Sequence, residues 1–466
     1  MDNLSIDIGS VKRTAFSKVL FFLLLSLIVW STMLYGTVHQ PVIALFYVVM
    51  VAVAVLWGLD SIWSGYVRFN RTWLQIPIAA TIIYALVQVI PFGYTQGQAG
   101  VGWEPRTISV APFWTLVVAL HLTALLIYFS AATAYIDSAA RLRKVVLLIT
   151  AFGFLYAFFA ILQAVLSPNK IYGFYESRYA VPFGSFVNRH NFAAFMEMTI
   201  LLPLGLLFAG AVEKDKRLIY ITAVGLMGIA LVMSGSRGGL VSIVAAVCFL
   251  IILSTGSEGK RDTFIKAALA VVMIAVFAVG AVLIGGESSL TRFAETARSS
   301  NFSTNRIQIW SVTLDVIRHN FPLGAGLGAF GVAYTPFDPS NGFERVEQAH
   351  NDYLEVLADA GVVGAAIGLG LLFLLFRTGL ASIRTENHYR KGVALGALSA
   401  CFAILVHSMF DFILHITAIT IMFLTMMALV VVSGRSFGDD IHMKNRHRRK
   451  KVSRAATVTA LHEHRP

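Results

Sequence analysis

Residues 347–376 read EQAHNDYLEVLADAGVVGAAIGLGLLFLLF. A histidine and four carboxylates crowd the first half, and an unbroken apolar run fills the second. An apolar stretch of roughly 20 residues matches the thickness of a bilayer core. The charged half then falls at the edge of a membrane helix, where ionisable side chains are costly and usually functional. The same apolar pattern recurs along the 466 residues, of which 57% are hydrophobic and only 13% charged. A soluble domain is about a quarter charged. These features predict an all-α polytopic membrane protein.

Twelve apolar segments are legible, at 17–36, 41–58, 74–92, 112–131, 144–167, 191–210, 217–233, 239–254, 264–285, 353–376, 393–413 and 416–432. They divide the chain into an N-terminal segment (1–16), a transmembrane helical domain (17–432) and a basic tail (433–466) that reads as disordered. The longest interruption, 286–352, separates the ninth and tenth spans. Lys12, Arg13 and Lys18 precede the first run, as in a signal peptide, but the run is long and no small-x-small cleavage site follows. It reads as a retained helix. With both termini cytoplasmic, all but ten of the 37 lysines and arginines fall inside. That bias obeys the positive-inside rule. It accounts for the net charge of +12 without nucleic acid, and the tail is expected to lie on anionic lipid.

The ten outside are Arg106, Lys170, Arg178, Arg189, Arg237, Arg292, Arg298, Arg306, Arg318 and Arg345. Arginine offers a planar fork that grips phosphate through two hydrogen bonds. For Arg292, Arg298 and Arg318 a solvated loop charge is reason enough. Four clusters at span ends carry more. In PFGSFVNRHNFAAF (182–195), Asn188, Arg189, His190 and Asn191 stand in a row, and Asn191 suits a helix cap. In MSGSRGGLVSIV (233–244), Arg237 is the one charge in a tight link flanked by small residues. In the opening stretch, His350 stands beside Asn351 and Asp352, near the expected helix start. An imidazole there suits general-base work at neutral pH, while Asp352 and Glu355 suit the positive end of the helix dipole. In HSMFDFILH (407–415), His407 and Asp411 are four apart and would share a helix face. TNRIQIWSVTLDVIRHN (304–320) has helical apolar spacing and is expected to lie on the outer face or against the bundle. FPLGAGLGAFG (321–331) lacks a strand–turn–helix setting, so it reads as a turn of close backbone approach, not a nucleotide loop. Only Cys248 and Cys401 occur, both in apolar runs, and no histidine spacing asks for a metal. No cofactor or metal is expected.

SGSRGG (234–239), RIQIW (306–310), PLGAGLGAFG (322–331) and AHNDYLEVLADAG (349–361) resemble the core of the bacterial O-antigen ligase and O-antigen polymerase superfamily. The likeness is strongest over about 180–430. The resemblance implies a glycosyltransferase of the GT-C type in the inner membrane. It would take a glycan from a polyprenyl-diphosphate carrier on the periplasmic face and pass it to another glycan, to lipid A core or to protein. No metal is implied for the ligases. By likeness the arginine of the SRGG turn and the histidine before NxYL map to Arg237 and His350, and Arg189 stands where a third arginine is expected. Arg189, Arg237 and Arg306 would then hold the diphosphate. His350 would take the acceptor proton, with Asn188, His190, Asn351, Asp352, His407 and Asp411 in support. Other polysaccharide-assembly proteins are candidate partners. A twelve-helix transporter and a non-enzymatic scaffold compete with this reading. No paired half-repeat is visible, and the polar clusters sit at one face only, which argues against alternating access.

Overall fold

The computed structural model describes residues 13–96, 102–177, 180–254, 300–340 and 345–436. The expected ninth span, Arg178, Arg292, Arg298, residues 1–12 and the tail beyond Ser436 lie outside them. The helices of the first half are α1 (Ala15–Met33), α2 (Gln40–Ser64), α3 (Gln75–Gln88), α4 (Pro112–Tyr135), α5 (Ala139–Leu166) and α6 (Arg189–Phe208). Then follow α7 (Arg217–Met233), α8 (Arg237–Ser254), α9 (Ser300–His319), α10 (Phe330–Tyr334), α11 (Asp352–Ile383), α12 (His388–His407) and α13 (Thr417–Ser433). Two short antiparallel hairpins interrupt them, β1 (Tyr94–Gln96) with β2 (Trp103–Pro105), and β3 (Lys170–Ile171) with β4 (Tyr175–Glu176). Nine of the described helices are long and apolar enough to cross a membrane. The chain is a multi-pass helical membrane protein. The shorter α3 and α13 fall on two further expected spans.

The helices end where the sequence punctuates them. Side chains of Thr14, Ser138, Asn188, Asn351 and Asn387 accept hydrogen bonds from first-turn backbone N–H groups and cap α1, α5, α6, α11 and α12. The cap of α6 is thus Asn188, not Asn191, which lies buried within the first turn. Within the bundle α6 and α13 are buried along nearly their whole length, and α6 packs most extensively on α12. That contact depends on glycine. A Cβ at Gly205 would lie 2.3 Å from the Gly396 nitrogen, and one at Gly396 would lie 2.6 Å from the Leu201 carbonyl. Gly392 and Gly396 give the small-xxx-small spacing that lets membrane helices approach backbone to backbone.

The two ends of the bundle differ in chemistry. At the end where α1 begins, Asp60 is buried and accepts from Thr14, from Tyr135 (2.7 Å) and from Arg68 (2.9 Å). Arg141 reaches the Ser17 carbonyl (2.9 Å), and Arg13, Arg68 and Arg141 surround Asp137. These arginines are therefore structural: each neutralises a carboxylate at a helix junction.

At the opposite end the glycine segment after α9 folds onto α11. The Ala325 and Gly326 N–H groups donate to the Ala358 and Asp359 carbonyls, and the Val362 N–H donates to the Pro322 carbonyl. The segment is a close-approach turn, as its composition predicts. It meets α11 where the helix breaks at Gly361, with φ 57° and ψ −149°. Only glycine adopts that conformation without strain. Helix α9 lies against α11, as its apolar spacing leads one to expect.

Candidate active site

The first turn of α11, the last turn of α12 and the link 408–416 form one hydrogen-bonded block. Asn351 Nδ2 donates to the Met409 carbonyl (3.1 Å), the Asp352 N–H to the Ser408 carbonyl (3.0 Å) and the Tyr353 hydroxyl to the Leu405 carbonyl (2.6 Å). Trp310 of α9 donates to the Ala349 carbonyl (3.0 Å). His350, just before the cap, has a left-handed backbone (φ 52°). A non-glycine residue rarely adopts it unless its surroundings impose it. That turn sets the imidazole Nδ1 3.0 Å from Asp411 Oδ1 and the ring edge-on to Phe412, with centroids 4.9 Å apart.

Asp411 is buried, with a side chain 3% exposed, whereas that of His350 is 33% exposed. Burial would raise the carboxyl, but the hydrogen bond from His350 and the charges of His190, His350 and Arg306 outweigh it and hold Asp411 down at about 2. A carboxylate on Nδ1 fixes the tautomer with the proton on that nitrogen. The other ring nitrogen is then a proton acceptor. The same shift has a stability consequence with a definite sign. A depressed carboxyl stabilises the folded state above its unfolded value near 4, and that gain disappears as pH falls from about 4 to about 2. Asp411→Asn is expected to flatten the acid limb of a thermal-midpoint series across this range. An unchanged limb would mean the pair does not form.

Three elements carry the arginines, and Arg306 reaches into the block. Arg306 of α9 donates through Nη1 to the Phe410 carbonyl (2.6 Å), and its Nη2 lies 3.7 Å from Asp411. Arg189 opens α6, and its guanidinium lies over Gly235, where a Cβ would sit 3.5 Å from Nη1. Two residues on, Arg237 opens α8. The SRGG turn is seated by its neighbours: Ser236 Oγ pairs with His190 Nδ1 (2.9 Å) and accepts from the Gly239 N–H (3.2 Å). A Cβ at Gly238 would meet the His407 ring at 3.2 Å and Phe410 at 3.3 Å. The two glycines after Arg237 thus let α8 press onto α12 and α6.

His407 and Asp411 do not form the pair their spacing suggests. Helix α12 ends at His407, so four residues no longer mean one face. His407 instead bonds Glu197 of α6 at 2.8 Å, both buried, while Asp411 turns to His350. Asp352 and Glu355 also do more than favour the helix dipole. They bind the two nitrogens of His415, at 3.1 and 3.0 Å. Burial would lower this histidine, but the Glu355 charge, ahead of Asp352, carries it well above its usual value. Asn188 and Asn351 are caps. The structure therefore gathers Arg189, His190, Arg237, Arg306, His350, His407 and Asp411 and adds Glu197, Ser236 and His415. Glu197 has a sequence signal, being the lone carboxylate in an apolar span. No group of three or more metal-ligating side chains occurs among the described residues.

Residues 222–369 match a family model described as O-antigen ligase. No curated protein matches the chain. The matched stretch carries Arg237, Arg306 and His350, while Arg189, Glu197 and Asp411 come from outside it. It runs from α7 through the SRGG turn, α9 and the glycine segment into α11, so it includes one side of the block, and the match supports membership of the O-antigen ligase and polymerase superfamily.

Proposed function

We propose that this chain transfers a glycan from a polyprenyl-diphosphate carrier to an acceptor hydroxyl at the periplasmic face of the inner membrane. The bundle has twelve spans with both termini cytoplasmic, and the step is metal-independent. The observation that carries the reading is the His350–Asp411 pair with Arg306 3.7 Å from the same carboxylate. The acceptor hydroxyl gives its proton to His350, with Asp411 orienting the ring and balancing its new charge. The acceptor oxygen bonds to the anomeric carbon as the carbon–oxygen bond to phosphate breaks. The electron pair leaves with the diphosphate, and Arg189, Arg237 and Arg306 stabilise that charge. Direct displacement inverts the anomeric centre.

The test uses purified protein in nanodiscs with a polyprenyl-diphosphate oligosaccharide as sole substrate. A ladder of longer lipid-linked glycans, absent in His350→Ala, identifies a polymerase. Transfer only after lipid A core is added identifies a ligase, and transfer only to a serine or threonine peptide identifies a protein glycosyltransferase. No consumption of the carrier under any of these conditions would refute glycosyl transfer and favour transport.

A further inference from the structure

Five non-glycine residues among those described have a left-handed backbone, and four of them lie together away from His350. They are Tyr35 (φ 56°) and Thr37 (φ 58°) in the link between α1 and α2, and Asn169 (φ 62°) and Tyr172 (φ 56°) around the β3–β4 hairpin. With Gly36 (φ 69°) between them, Tyr35 and Thr37 make a left-handed turn of three residues. The hairpin turns through Tyr172 and Gly173 (φ 80°), closed by the Phe174 N–H on the Ile171 carbonyl (3.2 Å). Asparagine and glycine are favoured at such positions, and a bulky side chain is an outlier there. Strain of this kind persists only where the surroundings impose it, and it gathers at ligand clamps.

The strain brings aromatic rings together. Tyr35 stands 5.0 Å from Tyr175, 5.1 Å from His39 and 5.7 Å from Tyr172, ring centre to ring centre, and His39 stands 5.6 Å from Tyr175. Tyr172 is fixed from three sides. Its hydroxyl donates to the Met33 carbonyl, its N–H donates to Gln163 Oε1 (2.8 Å), and its ring meets Phe159 (5.8 Å). Tyr35, His39, Tyr172 and Tyr175 remain partly exposed, and Phe174 beside them is exposed. The cluster adjoins the candidate active site. A Cβ at Gly36 would lie 3.5 Å from Ile416, the neighbour of His415. From His415 the Phe412 ring, 6.5 Å away, leads to His350 at 4.9 Å.

We propose that Tyr35, His39, Tyr172 and Tyr175 form a platform for pyranose rings of the glycan, several sugars from the bond that reacts. The proposal rests on the glycosyl-transfer reading above. The C–H face of a pyranose is an apolar patch with a slightly positive edge, and it packs on the negative face of an aromatic ring as a T-shaped ring edge does. Rings held beforehand lose little freedom when a sugar docks. Aromatic residues also serve as anchors at the bilayer interface. An anchor ring works alone and needs no ring-on-ring packing and no left-handed turn.

The test compares transfer from carriers bearing one sugar with transfer from carriers bearing a long glycan. It repeats the comparison with short and long acceptors and a fixed donor. Tyr175→Ala is expected to raise KM for the long substrate about tenfold more than for the short one, the size of one or two aromatic contacts. Tyr175→Phe restores it by keeping the ring. The arm that shows the effect tells whether the platform holds donor or acceptor. His39→Ala, at a partly exposed site of the same cluster, is the second variant should Tyr175→Ala not yield monodisperse protein. Trp63→Ala, exposed at the other end of the bundle, serves as the control without effect. Equal effects on short and long substrates, or none, would overturn the platform and leave the rings as bilayer anchors. Failure of the unmodified protein to transfer any glycan would instead refute the reaction itself.

Discussion

His350→Ala is expected to lower the rate of glycan transfer by roughly 10²–10⁴-fold while the protein still folds and accumulates to the parent level. The rate falls because an acceptor hydroxyl is a weak nucleophile and loses its proton acceptor. The midpoint falls only modestly, because the ring is one-third exposed and contributes little packing, and the loss is that of its hydrogen bond to buried Asp411. Asp411→Asn removes the group that sets the tautomer and is expected to cost a similar factor. The double variant should be little worse than either single one, since residues acting as a unit are not additive. Arg237→Ala removes charge stabilisation from the leaving group and is expected to cost about 10²–10³-fold. Arg237→Lys should recover only part of that, because an ammonium lacks the planar fork. Transfer by His350→Ala at more than a tenth of the parent rate would exclude the base role. Additive losses in the double variant would exclude the pair.

The part of this architecture legible in the sequence is the part written in periodicity and local motif. Apolar runs of bilayer length mark the helices because no membrane span can leave its backbone polar groups unpaired. The SRGG and HNDYL strings mark two pieces of the block because each is a helix start whose neighbours are fixed within a few residues. What is not legible is the partner chosen across the bundle. The spacing of His407 and Asp411 promises a shared face only while the helix continues, and α12 stops at His407. Each side chain then finds a carboxylate or imidazole more than 50 residues away, Glu197 in one case and His350 in the other. Asp352 and Glu355 were equally readable as helix-dipole residues, and only the return of the chain at His415 turns them into its ligands. The left-handed turn at Tyr35 has no sequence signal beyond Gly36, because its rings meet only after α1, α2 and α5 have packed.

The contact between α6 and α12 yields the largest expected effect on folding. Helix α6 carries Arg189, His190 and Glu197, and α12 carries His407, so this crossing sets one side of the block. Gly205 faces the backbone of α12. An added methyl would stand 2.3 Å from the Gly396 nitrogen and 2.5 Å from the Gly392 carbonyl. No side-chain rotation relieves a clash with backbone, so the two helices must part and the contacts along both are loosened. Gly205→Ala is expected to destabilise by about 4 kcal/mol or more, lowering the thermal midpoint on the order of 10 °C. Gly225 of α7 supplies the comparison, for a Cβ there meets nothing within 4 Å. Gly225→Ala should hold or raise the midpoint, since alanine is favoured over glycine within a helix by about 1 kcal/mol. The helix propensity gained is the same in both variants, so their difference isolates the packing. Equal midpoints would show that α6 and α12 do not touch at Gly205, and the positions of Glu197 and His407 relative to one another would then need another cause.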